Sequence, residues 1–166
     1  MNSCVGFGLP LLKAVSVAYN ECMIAGIDGI VIKGSGLGAT LGIPTANMRL
    51  SPASLATIKP GVYASRVHIG TQVFAGATHI GKNITVGGRE LTCETHIIGY
   101  QGALYGTKIS LELVAKIRDT KKFASLEELV HAMRHDISQA KAIIEAYSKH
   151  VPNPNNPHDI NEKNNV

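Results

Sequence analysis

A chain of 166 residues with 45% hydrophobic and 17% charged side chains suits one domain with a real core, and it is not the composition of a disordered chain. The formal net charge of +4 and the pI near 9.0 favour anionic ligands, but the basic residues are scattered and no run resembles a nucleic-acid stripe. Cys4, Cys22 and Cys93 are odd in number and widely spaced, which excludes a disulfide framework or a cysteine metal site and fits a reducing cytoplasm. No apolar run is long enough to span a bilayer. No Lys or Arg precedes the apolar run Val5 to Leu12, and Pro10 and Lys13 interrupt it, so a signal peptide is not expected.

In chain order, Leu11, Leu12, Val15, Ala18, Tyr19 and Cys22 recur at helical spacing and predict a short amphipathic helix ending at Ala25-Gly26. Ile27 to Lys33 is a β-branched run and predicts a strand that delivers the chain to GSGLGATLGIPTAN, Gly34 to Asn47. Val62 to Ile69 and Val73 to Ile80 flank Gly70-Thr71 and predict a hairpin. Asn83 to Arg89 is a loop. Leu91 to Ile98 alternates cleanly, with Leu91, Cys93, Thr95 and Ile97 on one face and Thr92, Glu94, His96 and Ile98 on the other. Lys108 to Ile117 alternates again. Ser125 then opens a capping box with Glu128, followed by a helix stripe of Leu126, Leu129, Val130, Met133, Ile137, Ala140, Ile144 and Tyr147. The Asn- and Pro-rich residues after Pro152 predict a flexible tail.

Five or six short strands with hairpin spacing and one long terminal helix do not make a βαβ wind. They predict a mainly β chain: a small antiparallel barrel of Greek-key type sealed by the C-terminal helix, preceded by a short N-terminal helix. The expected organisation is a helical extension over 1–26, the barrel with its helix over 27–149, and a tail over 150–166.

The glycine segment holds the first chemical signal. Gly34, Gly36 and Gly38 alternate, so the backbone amides there can approach an anion closely. Pro44 then presents Thr45 and Asn47, two neutral oxygen donors on one side of an extended segment. Such hard ligands suit Mg²⁺ alongside phosphate oxygens. A T-x-N sequence is also a common turn former, and the glycines directly before it favour the ligand role. A Rossmann reading needs a helix after the glycines and a Walker loop needs GK[ST], so neither applies.

Glu94 lies mid-strand, where a glutamate is either solvated or, in a cleft beside phosphate, able to take a proton from an attacking hydroxyl. His96 shares that face as a weaker candidate. Arg118, Lys121, Lys122 and Phe123 form either a solvated basic connector or a lid that meets phosphate and offers a flat apolar surface. His131 and His135 lack the H-E-x-x-H pattern and belong on the helix surface.

Taken together, the glycine segment into LGIPTAN, then PGVY, CETHI, LYG, an arginine with KKF and a capped helix resemble the riboflavin kinase family from about Gly29 to about Ala146. The resemblance implies a six-stranded antiparallel barrel with a C-terminal helix that transfers the γ-phosphate of ATP to the ribityl 5′-hydroxyl of riboflavin, giving FMN. It implies that Gly34, Gly36, Gly38, Thr40, Pro44 and Tyr105 lie by the nucleotide. By the same resemblance Thr45 and Asn47 hold Mg²⁺, with Zn²⁺ or Mn²⁺ as alternatives, and Glu94 is the catalytic base. Arg118, Lys121 and Phe123 match the flap over the flavin.

The sequence departs from the family pattern in two places. Leu37, Ala39 and Thr40 stand where a basic residue is usual, which is expected to weaken the phosphate grip, and Lys82 is a candidate to compensate. Gly81-Lys82-Asn83-Ile84-Thr85 lacks the proline of the family's second element. Nothing upstream resembles the adenylyltransferase fused to such domains in many bacteria, and no H-x-G-H occurs, so FMN rather than FAD is the expected product. The expected enzyme is a cytoplasmic monomer that binds riboflavin/FMN and ATP/ADP and no nucleic acid or membrane. The alternatives are a non-catalytic flavin- or nucleotide-binding relic of such a domain, suggested by the lost basic residues, and a nucleic-acid-binding barrel, suggested only by the pI.

Overall fold

The computed structural model describes residues 24–49, 57–82 and 91–150. The predicted N-terminal helix, the loop at 83–89 and the tail after 150 lie outside the described residues, as do Cys4 and Cys22. The described chain runs β1 (Ala25–Ile32), α1 (Leu37–Thr40), β2 (Ala46–Met48), β3 (Gly61–Ile69), β4 (Gln72–Lys82), β5 (Leu91–Ile97), β6 (Lys108–Arg118) and α2 (Leu126–His150). Ala25 and Gly26, expected to close the N-terminal extension, instead open β1, where they pair with Leu113 and Glu112. Apart from α1, the element types match the periodicities of the sequence, and most boundaries move by a residue or two, the ordinary scatter of frayed ends.

The six strands close into an antiparallel barrel in the order β1-β2-β5-β4-β3-β6. β3, β4 and β5 form a meander, and β6 returns by a long connection to lie beside β3, which is a Greek key. Closure leaves the barrel no free edge. Its interior is filled by alternate residues of every strand, among them Val31, Met48, Val67, Ile80, Cys93 and Leu111.

A second apolar layer lies outside the barrel, beneath α2. Ala64 and Ala77 on the wall meet Val114, Ala140 and Ile144. Alanines at those wall positions let a helix approach the sheet closely. The register of β3 on β6 shifts between Val62 and Tyr63 and again between Ala64 and Ser65. The residues skipped, Val114 and Ile117, both join the layer under α2. These bulges also re-aim the end of β6, which carries Arg118. The predicted helix stripe holds from Leu129 onward, but Leu126 is 47% exposed, and the charged Asp136 takes a buried place in the stripe at 4% exposure. The capping box forms in a shifted version. Ser125 Oγ accepts from Glu128 N at 3.2 Å, while the Glu128 carboxylate accepts from Ala124 N at 3.1 Å.

Candidate active site

Register, more than any single motif, assembles the site. Asn47 pairs with Glu94 across β2 and β5, and Glu94 pairs with His79 across β5 and β4. His79 pairs with Val62 across β4 and β3, and Val62 with Arg118 across β3 and β6. Asn47, Glu94, His79, Val62 and Arg118 thus form one row across five strands. The adjacent residues Met48, Cys93 and Ile80 are buried in the barrel, so the pleat turns this row outward. A cleft lies over it, floored by Glu94, His79, Val62 and Arg118 and walled by Thr45 and Phe123. Its remaining lining comes from the glycine segment, Ala77 and Lys82 of β4, His96 of β5, the 119–123 connector and one face of α2, and Asn47 stands beside the lining rather than in it.

The glycine segment is not a fully extended loop. Residues Leu37–Thr40 make one helical turn, with Gly36 in the left-handed region at φ 77° as its N-cap. Four residues of helix are too few to count as the helix of a dinucleotide fingerprint. The turn brings Gly38 against the ligand candidates, where a Cβ would stand 2.5 Å from Ile43 O and 3.1 Å from Thr45 Oγ1. A Cβ on Gly34 would fall 2.3 Å from Asn47 Cγ. Only glycine fits either place, and the result is a cradle around Thr45 and Asn47.

Asn47 Nδ2 donates to Thr45 O at 3.4 Å, which turns Oδ1 away from that carbonyl. Neither Asn47 Oδ1 nor Thr45 Oγ1 has a hydrogen-bond partner among the described residues. Two unpaired neutral oxygens fit a hard divalent ion that brings most of its ligands as phosphate and water. No group of three His, Cys, Asp or Glu among the described residues could hold a metal, so the fit is to an ion arriving with a nucleotide.

Thr40 is exposed, and its hydroxyl donates to Gly36 O at 3.2 Å within the turn. Pro44 is exposed too, and its carbonyl accepts from His96 Nδ1 at 2.9 Å. A carbonyl can only accept, so Nδ1 carries the proton, and His96 braces the segment that presents Thr45. Glu94 Oε1 lies 3.1 Å from the Thr92 hydroxyl. Tyr105 is 74% exposed and does not line the cleft. It precedes Gly106, whose N–H donates to Val31 O at 2.9 Å, and so stands beside the end of β1 where the glycine segment begins.

At the other end of the row, Arg118 is held rather than free. Its Nε donates to Asp136 Oδ1 at 2.9 Å and its NH2 to Asp136 Oδ2 at 2.7 Å, while NH1 donates to Asp119 O at 3.0 Å. The guanidinium also lies 5.5 Å from the Phe123 ring centroid, with Lys121 Nζ at 4.9 Å from the same ring. Phe123 is 8% exposed and forms cleft wall rather than a raised surface. Arg118 keeps two of its five N–H donors for a ligand, and its bidentate pair pins the 119–123 connector to α2.

Three cleft residues fall outside the sequence-derived set. Asp136 leaves a trace in the sequence, since a charge three residues after Met133 and four before Ala140 sits inside an apolar stripe. His79 leaves none, because a histidine in an alternating strand looks like any outward residue. Burial, and then the nearby Arg118 charge, lower its pKa below the ordinary histidine value, with Asp136 pulling the other way. Lys82, noted in the sequence only as a compensating cation, lines the cleft at the end of β4 and forms no ion pair among the described residues. Cys93, in contrast, faces the barrel interior, where burial pushes its thiol up to about 12, so it is inert at neutral pH.

Residues 24–144 match the family model described as Flavokinase: Riboflavin kinase. The chain is 39% identical over 111 residues to a bifunctional riboflavin kinase/FMN adenylyltransferase of Escherichia coli K12, covering 66% of this chain and 35% of that protein. It is 35% identical over 128 residues to an RNA-binding riboflavin kinase of Bacillus subtilis, covering 76% of this chain and 54% of that one. The crystal structure of riboflavin kinase from Trypanosoma brucei aligns with a TM-score of 0.53 at 22% identity, over 72% of this chain and 79% of that chain, a likeness of fold. The chain spans from about a third to about half of the length of the two curated relatives.

Proposed function

This chain belongs to the riboflavin kinase family, and from that premise we propose that it transfers the γ-phosphoryl group of ATP to the 5′-hydroxyl of riboflavin, giving FMN and ADP. The observation that carries the reading is the direct cross-strand pairing of Asn47 with Glu94. It sets an oxygen donor suited to a phosphate-bound cation one strand away from a carboxylate suited to activating the acceptor. The glycine cradle and the Thr45–Asn47 pair define the donor end of the cleft, and Phe123 with Arg118 the acceptor end.

In the proposed reaction the ribityl hydroxyl stands between Glu94 and the γ-phosphorus. Glu94 takes the hydroxyl proton as the new O–P bond forms, and the bond from the γ-phosphorus to the β–γ bridging oxygen breaks to release ADP. Phosphoryl transfer is accelerated mainly by alignment and by stabilising charge. A divalent ion held by Thr45 and Asn47, with Mg²⁺ the expected one, supplies charge neutralisation at the phosphates. Lys82 adds a cation from the β4 side, in place of the basic residue that the glycine segment lacks. His96, through Pro44, holds the backbone that presents Thr45. Phe123 supports the flavin ring, and Arg118, anchored by Asp136, keeps that wall in place. Nothing in the cleft favours the non-catalytic alternative.

Incubation with riboflavin, ATP and Mg²⁺, followed by chromatographic detection of FMN, tests the assignment. FMN formation that stops on chelation of the metal is the expected result. Riboflavin binding without FMN would overturn the kinase reading and return the chain to the binding module.

A further inference from the structure

His79 sits between Glu94 and Arg118 in the outward row and floors the cleft. It is half-buried, and neither ring nitrogen has a hydrogen-bond partner among the described residues. Its Nε2 lies 3.4 Å from where a Cβ on Gly81 would stand, which packs the ring against the end of its own strand. A polar group covered this far and left unpaired is costly unless a ligand pairs with it.

The spacing of the row says which part of a ligand arrives there. Neighbouring strands lie about 4.8 Å apart, so β4 is one step from Glu94 and β6 is three steps away, about 14 Å. An acceptor with its reacting hydroxyl at Glu94 and its ring at Phe123 and Arg118 must lay the intervening chain over β4. In riboflavin that chain is a polyol. A neutral imidazole offers one donor and one acceptor, and a secondary hydroxyl can meet either. Burial and the Arg118 guanidinium keep the ring neutral, against the weaker opposite pull of Asp136.

We propose that His79 is a substrate-binding residue that hydrogen-bonds a secondary hydroxyl of the acceptor's polyol chain, and so selects flavins with a hydroxylated side chain over flavins with a plain alkyl alcohol. The proposal rests on the riboflavin kinase reading and adds the residue that reads the linker.

Steady-state kinetics with riboflavin and with a flavin carrying a 5-hydroxypentyl chain in place of ribityl test it. The wild-type protein favours riboflavin. His79→Ala lowers kcat/KM for riboflavin about tenfold, the loss of one hydrogen bond, and leaves the hydroxypentyl flavin within about twofold and the KM for ATP unchanged. His79→Asn keeps a donor and an acceptor at similar size and retains the preference for riboflavin. Equal losses on the two acceptors would overturn the proposal, because a merely structural role cannot distinguish them. Should His79→Ala fail to fold, loss of the preference in His79→Asn would overturn it equally. Wild-type turnover without discrimination sinks only the His79 assignment, whereas no FMN from the wild type sinks the kinase reading itself.

Discussion

Two adjacent rows cross β2, β5, β4 and β3, one residue apart, and the pleat sends them to opposite sides of the barrel wall. The inner row runs Ala46, Thr95, Thr78, Tyr63, and the outer row runs Asn47, Glu94, His79, Val62 and continues to Arg118 on β6. Inside, hydrogen-bonding capacity is used within the protein. Thr78 Oγ1 lies 2.7 Å from Ser65 Oγ and 2.9 Å from Thr95 Oγ1, and all three residues are at most 1% exposed. Tyr63 donates to Lys59 O at 2.5 Å. Outside, Glu94 has one hydroxyl neighbour, His79 none, and Asn47 an unpaired oxygen among the described residues. Buried polar groups without water must be paired, so unused capacity is tolerated where a ligand can enter. On one stretch of wall, unpaired polar atoms separate the residues proposed to do chemistry from those that hold the sheet.

The largest break in that contrast comes from the outer row. Glu94→Gln keeps the shape and removes the proposed base, and kcat is expected to fall between a hundred- and ten-thousandfold, about 3–5 kcal/mol on the barrier. ATP affinity and the thermal midpoint stay near wild type, as calorimetry and a melting curve would show. A loss below about tenfold would remove Glu94 as the base.

Arg118 is the exception to the contrast, an outer-row residue held by Asp136 of α2 through two of its nitrogens. Asp136→Ala strands Arg118 against Phe123 and α2. Breaking such a pair costs about 3 kcal/mol, toward the low end of the usual range because Arg118 keeps 24% exposure to solvent. Urea unfolding measures the loss. If stability changes by under about 1 kcal/mol, the pair is no more than a surface ion pair. A rise in the KM for riboflavin larger than that for ATP would show that the connector shapes the acceptor end.

The strands and the long helix were legible in the sequence because alternation and helical spacing are local. The match of β5 to its predicted faces shows this, with Cys93, Thr95 and Ile97 buried and Glu94 and His96 outside. Thr45, Asn47 and Glu94 were legible as candidates through the glycines that precede the first two and through the family resemblance, which implied that they act together. The pairing that joins them had no local sign, since β2 joins β5 across more than forty residues of chain and register carries no local mark. The helical turn at Leu37–Thr40 was hidden by its glycines. The bulges that carry Val114 and Ile117 under α2 depend on tertiary packing, so the outward aim of Arg118 followed from contacts invisible at that distance.

The inner row offers a smaller and purely structural test. Thr78→Val removes the central hydroxyl of the ladder and leaves Ser65 and Thr95 each short of a partner, at an expected cost of about 2 kcal/mol. Ser65 keeps a bond to Gly76 O at 3.2 Å, which limits the loss. Adding Thr95→Val should cost less than the two changes summed, because it removes one of the stranded groups. Both variants should turn over at wild-type rates. A drop in kcat at unchanged stability would show that the two rows are coupled and weaken the division of labour.

The smallest effect sharpens the contrast from the acid side. His79 has a folded-state pKa below the ordinary histidine value of 6.5, through burial first and then Arg118, opposed by Asp136. The unfolded chain therefore binds a proton more readily than the folded one, and stability rises with pH wherever the two states differ in protonation. The contribution is fully present above pH 6.5 and is lost progressively as pH falls below it toward the folded value. His79→Asn removes the titration, so its denaturation midpoint should fall less between pH 7 and pH 5.5 than that of wild type. Other groups shift the midpoint in both proteins alike, and only the difference reports on His79. Parallel pH profiles would mean that water already reaches the imidazole and that the outer row carries no desolvated histidine. A flatter profile in the variant would show that the cleft holds a neutral polar group at a cost in stability, which the inner row, closed on itself, does not incur.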